Sequence, residues 1–257
     1  MADAITEALV LAGGFGTRLR AVVNDVPKPM APVAGKPFLE HLLNGLAAKG
    51  VQRVVLSVGH MASSIVDHFG GRFGALSLDY AVETTPLGTG GAIALGLTRC
   101  HEPAVLVLNG DTWLDLEMPA LTAQWQRQAQ PAPIIVAREV EDVSRYGSLQ
   151  IEGGCVRRFV EKGGTGRGFI NAGVYLLPRD FLAGRAPPAA STFSSPGTAT
   201  ATAPATAFTP FAIEADFLVG YVLTHRTEAF VSRGEFVDIG VPEDYARAQT
   251  MQLGRLE

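Results

Sequence analysis

Short apolar runs alternate with segments of helical periodicity along the N-terminal part of the chain. Ala8 to Ala12 is an apolar run bounded by glycines, which is typical of a buried parallel strand. Pro37 stands at a helix start, and leucines at helical spacing continue from it to Gly50. The same alternation predicts strands at 53–58 and 76–82 and a helix at 61–69. This βαβαβ order predicts a mostly parallel sheet with helices on both faces.

The second half of the chain has a different pattern. A strand over 104–108, a helix over 118–128 and a strand over 134–137 continue the alternation. From Arg145 the chain becomes rich in short strands separated by glycine turns, and a last helix begins near Pro242. The predicted strands of this part cover 146–151, 156–160, 169–177, 221–223, 228–231 and 235–239. We predict an α/β fold of three αβα layers, Rossmann-like, with a mostly parallel mixed sheet in one domain, 1–257, made of halves at about 1–140 and 141–257.

Residues 185–210 differ in kind from the rest. Ala, Thr, Ser and Pro dominate this segment, and few of its side chains can offset the entropy lost on ordering. It is predicted to be a mobile or disordered insertion.

Composition narrows the functional classes. The chain has 257 residues, of which 47% are hydrophobic, enough for a sizeable core. A net charge of −4 without a dense Lys/Arg cluster argues against nucleic acid as a partner. The two cysteines lack zinc or redox spacing. The N-terminus lacks the basic region of a signal peptide, and no apolar run approaches membrane-spanning length, so the sequence predicts a cytosolic protein with no membrane contact.

A glycine loop follows the first strand. Gly13, Gly14 and Gly16 allow backbone N–H groups to approach a ligand and form an anion-binding concavity, to which Arg18 adds positive charge. The dinucleotide fingerprint fails because Leu19 stands where its third glycine is needed. The P-loop fails because its Gly-Lys-Ser/Thr order is absent. A tight structural turn remains the alternative.

Three motifs together resemble the signature of the sugar-1-phosphate nucleotidyltransferases. They are G-G-x-G-T-R-L at 13–19, Pro27-Lys28-Pro29 and Gly35-Lys36-Pro37. The resemblance implies the nucleotide-diphospho-sugar transferase type of fold, with nucleotide bound by the first half and sugar by the β-rich second half. It implies that the glycine loop wraps a triphosphate, that Arg18 meets the outer phosphates and that Lys28 meets the phosphorus that is attacked.

The resemblance extends to the nucleotide pocket. The segment from Glu83 to Ala92 opens into a predicted helix over 92–97. It is similar to the family's P-L-G-T-G/A segment, which lines the pocket for base and sugar, although a structural turn is an equal alternative. The implied nucleotide-binding residues are Leu11, Ala12, Gly13, Gly14, Gly16, Thr17, Arg18, Glu83, Pro86, Leu87, Gly88, Asn109 and Gly110.

Two acidic residues are candidate metal ligands. Asp111 follows a strand within L-N-G-D, similar to the family's L-x-G-D, and open α/β sheets bind ligands at that edge. Asp238 lies in D-I-G-V-P-E-D-Y, which matches the family's D-I-G-T-P-E-D-Y except at Val241. The resemblance implies Mg²⁺ held by both carboxylates, an ion suited to oxygen ligands. The alternatives are a turn residue for Asp111 and a helix cap for Asp238.

The acceptor sugar is expected to lie in the β-rich half. Residues implied to bind the sugar phosphate by the family's motifs are Tyr146, Gly147, Glu161, Lys162, Asn171 and Gly173. An exposed surface pair is the alternative for Glu161 and Lys162.

The implied catalytic residues are Arg18, Lys28, Asp111 and Asp238. The implied reaction joins a sugar 1-phosphate to a nucleoside triphosphate and releases pyrophosphate. Residues 22–43 resemble the guanylyltransferase branch that uses heptose 1-phosphate, which favours GTP and a heptose. Mannose 1-phosphate guanylyl transfer, hexose 1-phosphate uridylyl or thymidylyl transfer, and a regulatory subunit that senses nucleotide-sugars without turnover stay open. The sequence also leaves the oligomeric state open, a homodimer included.

Overall fold

A computed structural model describes residues 4–14, 26–144, 147–160, 164–185 and 209–253. Several predictions fall outside these ranges. They concern Gly16, Thr17, Arg18, Tyr146, Glu161, Lys162 and the greater part of the 185–210 insertion, namely residues 186–208.

The described residues form helices and strands that alternate in part of the N-terminal half, whereas the four strands within residues 134–178 follow one another without a helix between them. The strands are β1 (Glu7–Leu11), β2 (Pro32–Val33), β3 (Lys36–Pro37), β4 (Arg53–Val58), β5 (Arg72–Phe73), β6 (Leu76–Val82), β7 (Ala104–Asn109), β8 (Thr112–Leu114), β9 (Ile134–Val140), β10 (Ser148–Glu152), β11 (Cys155–Val160), β12 (Gly168–Pro178), β13 (Glu228–Ser232) and β14 (Phe236–Asp238). The helices are α1 (Phe38–Ala48), α2 (Ala62–Phe69), α3 (Gly88–Leu97), α4 (Met118–Gln126), α5 (Val219–Thr224) and α6 (Pro242–Ala248), with a 3-10 turn at Lys28–Met30 and a π-helical turn at Ile213–Leu218.

One large sheet organises the molecule, in the order β10-β11-β13-β9-β12-β7-β1-β4-β6-β5. Strands β7, β1, β4 and β6 are parallel neighbours, as the βαβαβ pattern predicts. Parallel strands are covered on both faces, which explains why β1, β4 and β7 are almost continuously apolar.

The β-rich half extends the same sheet. Strand β12 runs antiparallel to both β7 and β9, and β13 lies parallel to β9. The predicted mixed sheet is therefore confirmed, and its antiparallel side is continuous with its parallel centre.

Helices pack closely on both faces of the parallel strands. On one face Phe38 and Leu43 of α1 are fully buried. On the other face α3 lies so close to β1 that a Cβ on Gly96 would overlap the side chain of Leu9. Among the described residues, no helix is both long and apolar enough to cross a membrane.

The predicted strand at Tyr221–Leu223 is wrong, because these residues belong to α5. Tyr221 stacks between Phe217 and His225, with ring centroids 5.2 and 4.2 Å away. The four-residue spacing of these rings is helical, and it outweighs the strand preference of the tyrosine and valine. Similarly, α3 begins at Gly88, four residues before the predicted start at Ala92.

Candidate active site

The carboxyl ends of the parallel strands meet at one edge of the sheet. Leu11 at the end of β1 is in register with Asn109 at the end of β7 and with Ser57 near the end of β4. Val58 and Val82 end β4 and β6 side by side. The loops that follow these strands carry the predicted nucleotide-binding residues and Asp111. The fold therefore gathers onto one edge residues that are far apart in the sequence.

The glycine loop leaves β1 in a tight space. The Ala12 N–H donates to Ser57 O at 2.7 Å, which extends the parallel ladder by one residue. A Cβ on Gly13 would lie 2.9 Å from Oε1 of Glu83 and 3.1 Å from the backbone nitrogen of Gly59. The close approach therefore favours glycine after Ala12, whereas no atom of the described residues lies within 4 Å of a Cβ placed on Gly14.

Glu83 fixes the loop that follows β6. Its Oε2 accepts a hydrogen bond from the Leu87 N–H at 3.0 Å, and its Oε1 accepts one from the Ser57 hydroxyl at 3.4 Å. Burial raises the pKa of this carboxyl, and the two hydrogen bonds lower it by less. Pro86 is exposed and Leu87 is buried. Glu83 thus connects the end of β6 to the P-L-G segment.

The predicted base loop docks on the segment before the π-helical turn. The Gly90 N–H donates to Phe211 O at 2.9 Å, and the Phe211 N–H donates to Leu87 O at 3.1 Å. Gly88 has a φ of 72°, and a Cβ on it would overlap the Phe211 carbonyl. A Cβ on Gly90 would overlap the Phe211 ring. These glycines are therefore required for the approach of Phe211, a contact that the sequence did not indicate.

Lys28, Asp111 and Asp238 form the charged centre of this edge. Lys28 Nζ donates a hydrogen bond to Asp111 Oδ2 and lies 3.8 Å from Asp238 Oδ1. The lysine side chain is 9% exposed, whereas those of Asp111 and Asp238 are 30% and 34% exposed. The ammonium is therefore buried beneath carboxylates that remain open to ligands.

A small antiparallel sheet brings the two carboxylates together. Strand β14 pairs with β8 so that Asp238 is opposite Thr112, the residue after Asp111. The Ile239 N–H donates to Asp111 O at 2.9 Å, and the Gly240 N–H donates to Asp238 Oδ1 at 2.7 Å. Asp111 and Asp238 therefore lie close together, as a metal held by both carboxylates would require.

The donor set at this centre fits a hard divalent cation. Asp111 and Asp238 offer carboxylate oxygens, and the described residues contain no cluster of three or more His, Cys, Asp or Glu that could hold a metal. A site with two carboxylates suits Mg²⁺, which keeps several waters and is usually completed by substrate phosphates.

A polar cluster lies on the neighbouring strand. The amide nitrogen of Asn171 donates to the Tyr175 hydroxyl at 2.7 Å and to Glu214 Oε1 at 2.7 Å, and the Tyr175 hydroxyl donates to the same oxygen at 2.8 Å. Tyr175 is fully buried, and burial with the nearby Glu214 charge raises its pKa well above the ordinary value. Its hydroxyl therefore stays a neutral donor that orients Glu214.

Gly173 joins this cluster to the charged centre. Its φ is 68°, and a Cβ on it would overlap the amide of Asn109 at the end of β7. The Gly173 N–H donates to Asn171 Oδ1 at 3.0 Å. Val174 is in register with Leu108, so the predicted residues of β12 lie beside Asn109 and Gly110. Gly147 lies in another part of the β-rich half, where a Cβ would be 3.5 Å from Val160 O.

Sequence reasoning missed Glu214. It belongs to the segment I-E-A-D-F-L, for which the sequence analysis proposed no role. The signal that could have found it is the buried tyrosine of β12, because a buried hydroxyl needs a hydrogen-bond partner.

The chain is similar to known nucleotidyltransferases over nearly its whole length. A family profile described as nucleotidyl transferase matches residues 7–253. The chain is 36% identical over 95% of its length to D-glycero-alpha-D-manno-heptose 1-phosphate guanylyltransferase of Aneurinibacillus thermoaerophilus, with 96% of that protein covered. It is 33% identical over 93% of its length to the enzyme of the same name from Campylobacter jejuni, again with 96% covered.

A solved structure is also similar to this chain. HddC from Yersinia pseudotuberculosis, complexed with GMP-PN, matches with a TM-score of 0.77 and 35% identity, over 95% of this chain and 98% of that one.

Proposed function

The chain belongs to the nucleotidyl transferase family and is a sugar-1-phosphate nucleotidyltransferase, and from this premise we propose that it transfers GMP from GTP to a D-glycero-D-manno-heptose 1-phosphate. The products are a GDP-heptose and pyrophosphate. Such a product suits the synthesis of cell-surface glycans.

One observation carries the proposed chemistry, whereas the choice of GTP and a heptose rests on the similarity to the relatives. Lys28 places a buried ammonium between two partly exposed carboxylates at the carboxyl edge of a parallel sheet. An oxygen of the sugar phosphate attacks the α-phosphorus of GTP, and the bond from that phosphorus to the bridging oxygen of pyrophosphate breaks. This transfer asks the protein mainly for positioning and charge neutralisation. The Lys28 ammonium stabilises the charge that develops on the α-phosphate.

Asp111 and Asp238 would hold Mg²⁺ in this proposal. The bound ion would supply Lewis-acid stabilisation of phosphate oxygens. The chain's own contribution is the small β8–β14 sheet, which fixes the two carboxylates side by side before substrate arrives.

The nucleotide side is assigned to the loops after β1, β6 and β7. The backbone at Gly13 and Gly14 would wrap the triphosphate, and Arg18 would hold the leaving pyrophosphate. Leu87 and Gly88 would line the base pocket, in a loop that Glu83 and Phe211 hold from opposite sides.

The sugar side is assigned to the cluster on β12. Asn171 and Glu214 would bind hydroxyls of the acceptor, because Tyr175 and Asn171 occupy only Oε1 of that carboxylate in the contacts described. Lys162 would hold the sugar phosphate, and Glu161 and Tyr146 would complete the pocket.

A substrate matrix tests the proposal. Pyrophosphate release is measured for GTP, UTP, dTTP and ATP against the 1-phosphates of the heptose, mannose and glucose, with Mg²⁺ and with the Lys28→Ala variant as a control. We expect the greatest kcat/KM for GTP with the heptose 1-phosphate. UTP or dTTP at parity with GTP would overturn the donor, and a greater kcat/KM for mannose 1-phosphate would overturn the acceptor. Binding of a nucleotide-sugar without turnover of any pair would instead identify a regulatory subunit.

A further inference from the structure

Lys28 is followed directly by a short hairpin that lies outside the large sheet. Among the described residues, strands β2 and β3 pair only with each other, and a two-stranded hairpin is marginal on its own. Its turn residues Ala34 and Gly35 have φ values of 47° and 81°. A left-handed conformation is unfavourable for alanine, so other contacts must hold this turn.

Helix α6 and the residue that caps its C-terminus, Gln249, supply those contacts. The Tyr245 hydroxyl donates to Pro32 O at 2.6 Å, and the Gln249 side-chain nitrogen donates to the same carbonyl at 3.0 Å. Gln249 Oε1 accepts the Ala34 N–H at 2.9 Å. We call these three hydrogen bonds the hairpin contact.

Helix α1 also contacts both the hairpin and the residues after α6. His41 is buried, and its ring nitrogens lie 2.8 Å from Val33 O and 3.1 Å from Leu253 O. The hairpin and the residues after α6 are therefore held by one side chain.

The hairpin contact connects the segment that carries Lys28 to the helix that follows Asp238. The Ala31 N–H donates to Lys28 O at 3.0 Å, so the hairpin and the 3-10 turn that carries Lys28 are connected. At its other end, α6 begins shortly after Asp238. Helix α6 is thus connected to Lys28 through the hairpin and to Asp238 through the intervening chain.

We propose that Tyr245 and Gln249 are positioning residues that set the place of the Lys28 ammonium relative to Asp238. Neither residue touches a reacting group. They act through the hairpin, and a small displacement of a charge-stabilising group is costly to the chemical step. The kinetic consequence rests on the proposed function, whereas the placement of Lys28 does not.

The two donors share one acceptor, which makes a specific prediction for mutants. Tyr245→Phe leaves Gln249 on the Pro32 carbonyl, and Gln249→Ala leaves Tyr245 on it. We expect each single variant to lower kcat by about 3-fold or less, and the double variant to lower it by about 10-fold or more with little change in KM. Thr250→Ala is the matched control, because the Thr250 hydroxyl donates within the same helix end to Arg247 O. It should leave kcat unchanged.

A second readout does not depend on activity. Lys28 is largely buried and Lys36 is exposed. Acetylation by N-hydroxysuccinimide acetate, followed by mass spectrometry, should be slow at Lys28 in the wild type. The double variant should be acetylated several-fold faster at Lys28, with no change at Lys36.

These measurements separate the possible outcomes. A kcat within twofold of wild type in the folded double variant overturns the positioning role, whatever the acetylation rate. If the wild-type protein releases no pyrophosphate, the proposed function fails. In that case the acetylation rate alone tests whether Tyr245 and Gln249 hold Lys28 in place, and an equal rate at Lys28 in the wild type and the double variant overturns that inference. If the double variant does not fold, Tyr245→Phe combined with Gln249→Glu replaces it, since Glu keeps the acceptor for Ala34 and loses the donor to Pro32.

Discussion

The side-chain nitrogen of Lys28 lies 3.8 Å from Oδ1 of Asp238, although the two residues come from opposite ends of the chain. Asp111 completes the group from the middle of the sequence. Lys28 comes from the 3-10 turn, Asp111 from the turn between β7 and β8, and Asp238 from β14, so the charged centre exists only when the small β8–β14 sheet and the 3-10 turn are both in place. Substitutions at this centre therefore test whether these distant segments come together as the structure shows.

Lys28→Ala should lower kcat by roughly 10²- to 10³-fold, because one preorganised charge donor is lost. The KM for GTP should change little. Steady-state pyrophosphate release gives both constants. Lys49→Ala is the control, since Lys49 pairs at 2.6 Å with the exposed Asp115. A variant with normal kcat and a raised KM would place Lys28 in ground-state binding.

Asp111→Asn and Asp238→Asn should each nearly abolish turnover, and the double variant should be little worse than either single variant, because both carboxylates would act through one ion. The same assay with increasing chelator should inhibit the wild type. Asp115→Asn, which alters an exposed carboxylate nearby in sequence, should be close to normal. Independent, multiplying losses would show that the two residues do not share a metal.

Glu83→Gln should change how stability depends on pH. Burial raises the folded-state pKa of Glu83, so its contribution to stability is present below the ordinary carboxyl pKa and is lost as the pH rises through the raised value. Glutamine does not titrate. The Tm of the variant minus that of the wild type should therefore increase as the pH rises from below the ordinary carboxyl pKa through the raised pKa of Glu83. Glu152→Gln on β10 is an exposed control, and a difference for Glu83→Gln that falls with pH would contradict the assignment.

Gly110→Ala should destabilise the fold next to the site. A Cβ at this position would overlap Leu11 O, which already accepts the Gly110 N–H at 2.9 Å. Overpacking against backbone costs about 1–3 kcal/mol, or about 3–10 °C in Tm for a domain of this size. Gly71→Ala, with no atom of the described residues within 4 Å of its Cβ position, should leave Tm within about a degree in the same thermal scan. Equal Tm values for both variants would show that the loop relaxes freely.

The large features of the fold followed from local chemistry. Pro37 and Gly50 bracket α1 as predicted, since a proline favours helix starts and a glycine with a φ of 88° ends one. Asp111 and Asp238 were predicted to converge, and they do. These predictions succeeded because hydrophobic periodicity, the residues that begin and end helices, and sequence motifs can all be recognised in short stretches of sequence.

The remaining features depend on contacts between distant segments. The helix at Tyr221 is set by ring stacking on Phe217, which local strand preference does not reveal. The need for glycine at Gly88 comes from Phe211, and the role of Gln249 comes from a hairpin at the other end of the chain. Contacts between distant residues depend on packing in three dimensions, so the local residue pattern does not predict them.

Strand β13 lies inside the large sheet, between β9 and β11, although it is the last strand of that sheet to be synthesised. In a nascent chain, β9 and β11 therefore lack their shared neighbour until β13 emerges from the ribosome. During that interval two strand edges are unpaired, which invites association with other chains. A premature stop before β13 should yield an aggregating product that proteases remove, and full-length chains should fold slowly because this pairing closes a long loop.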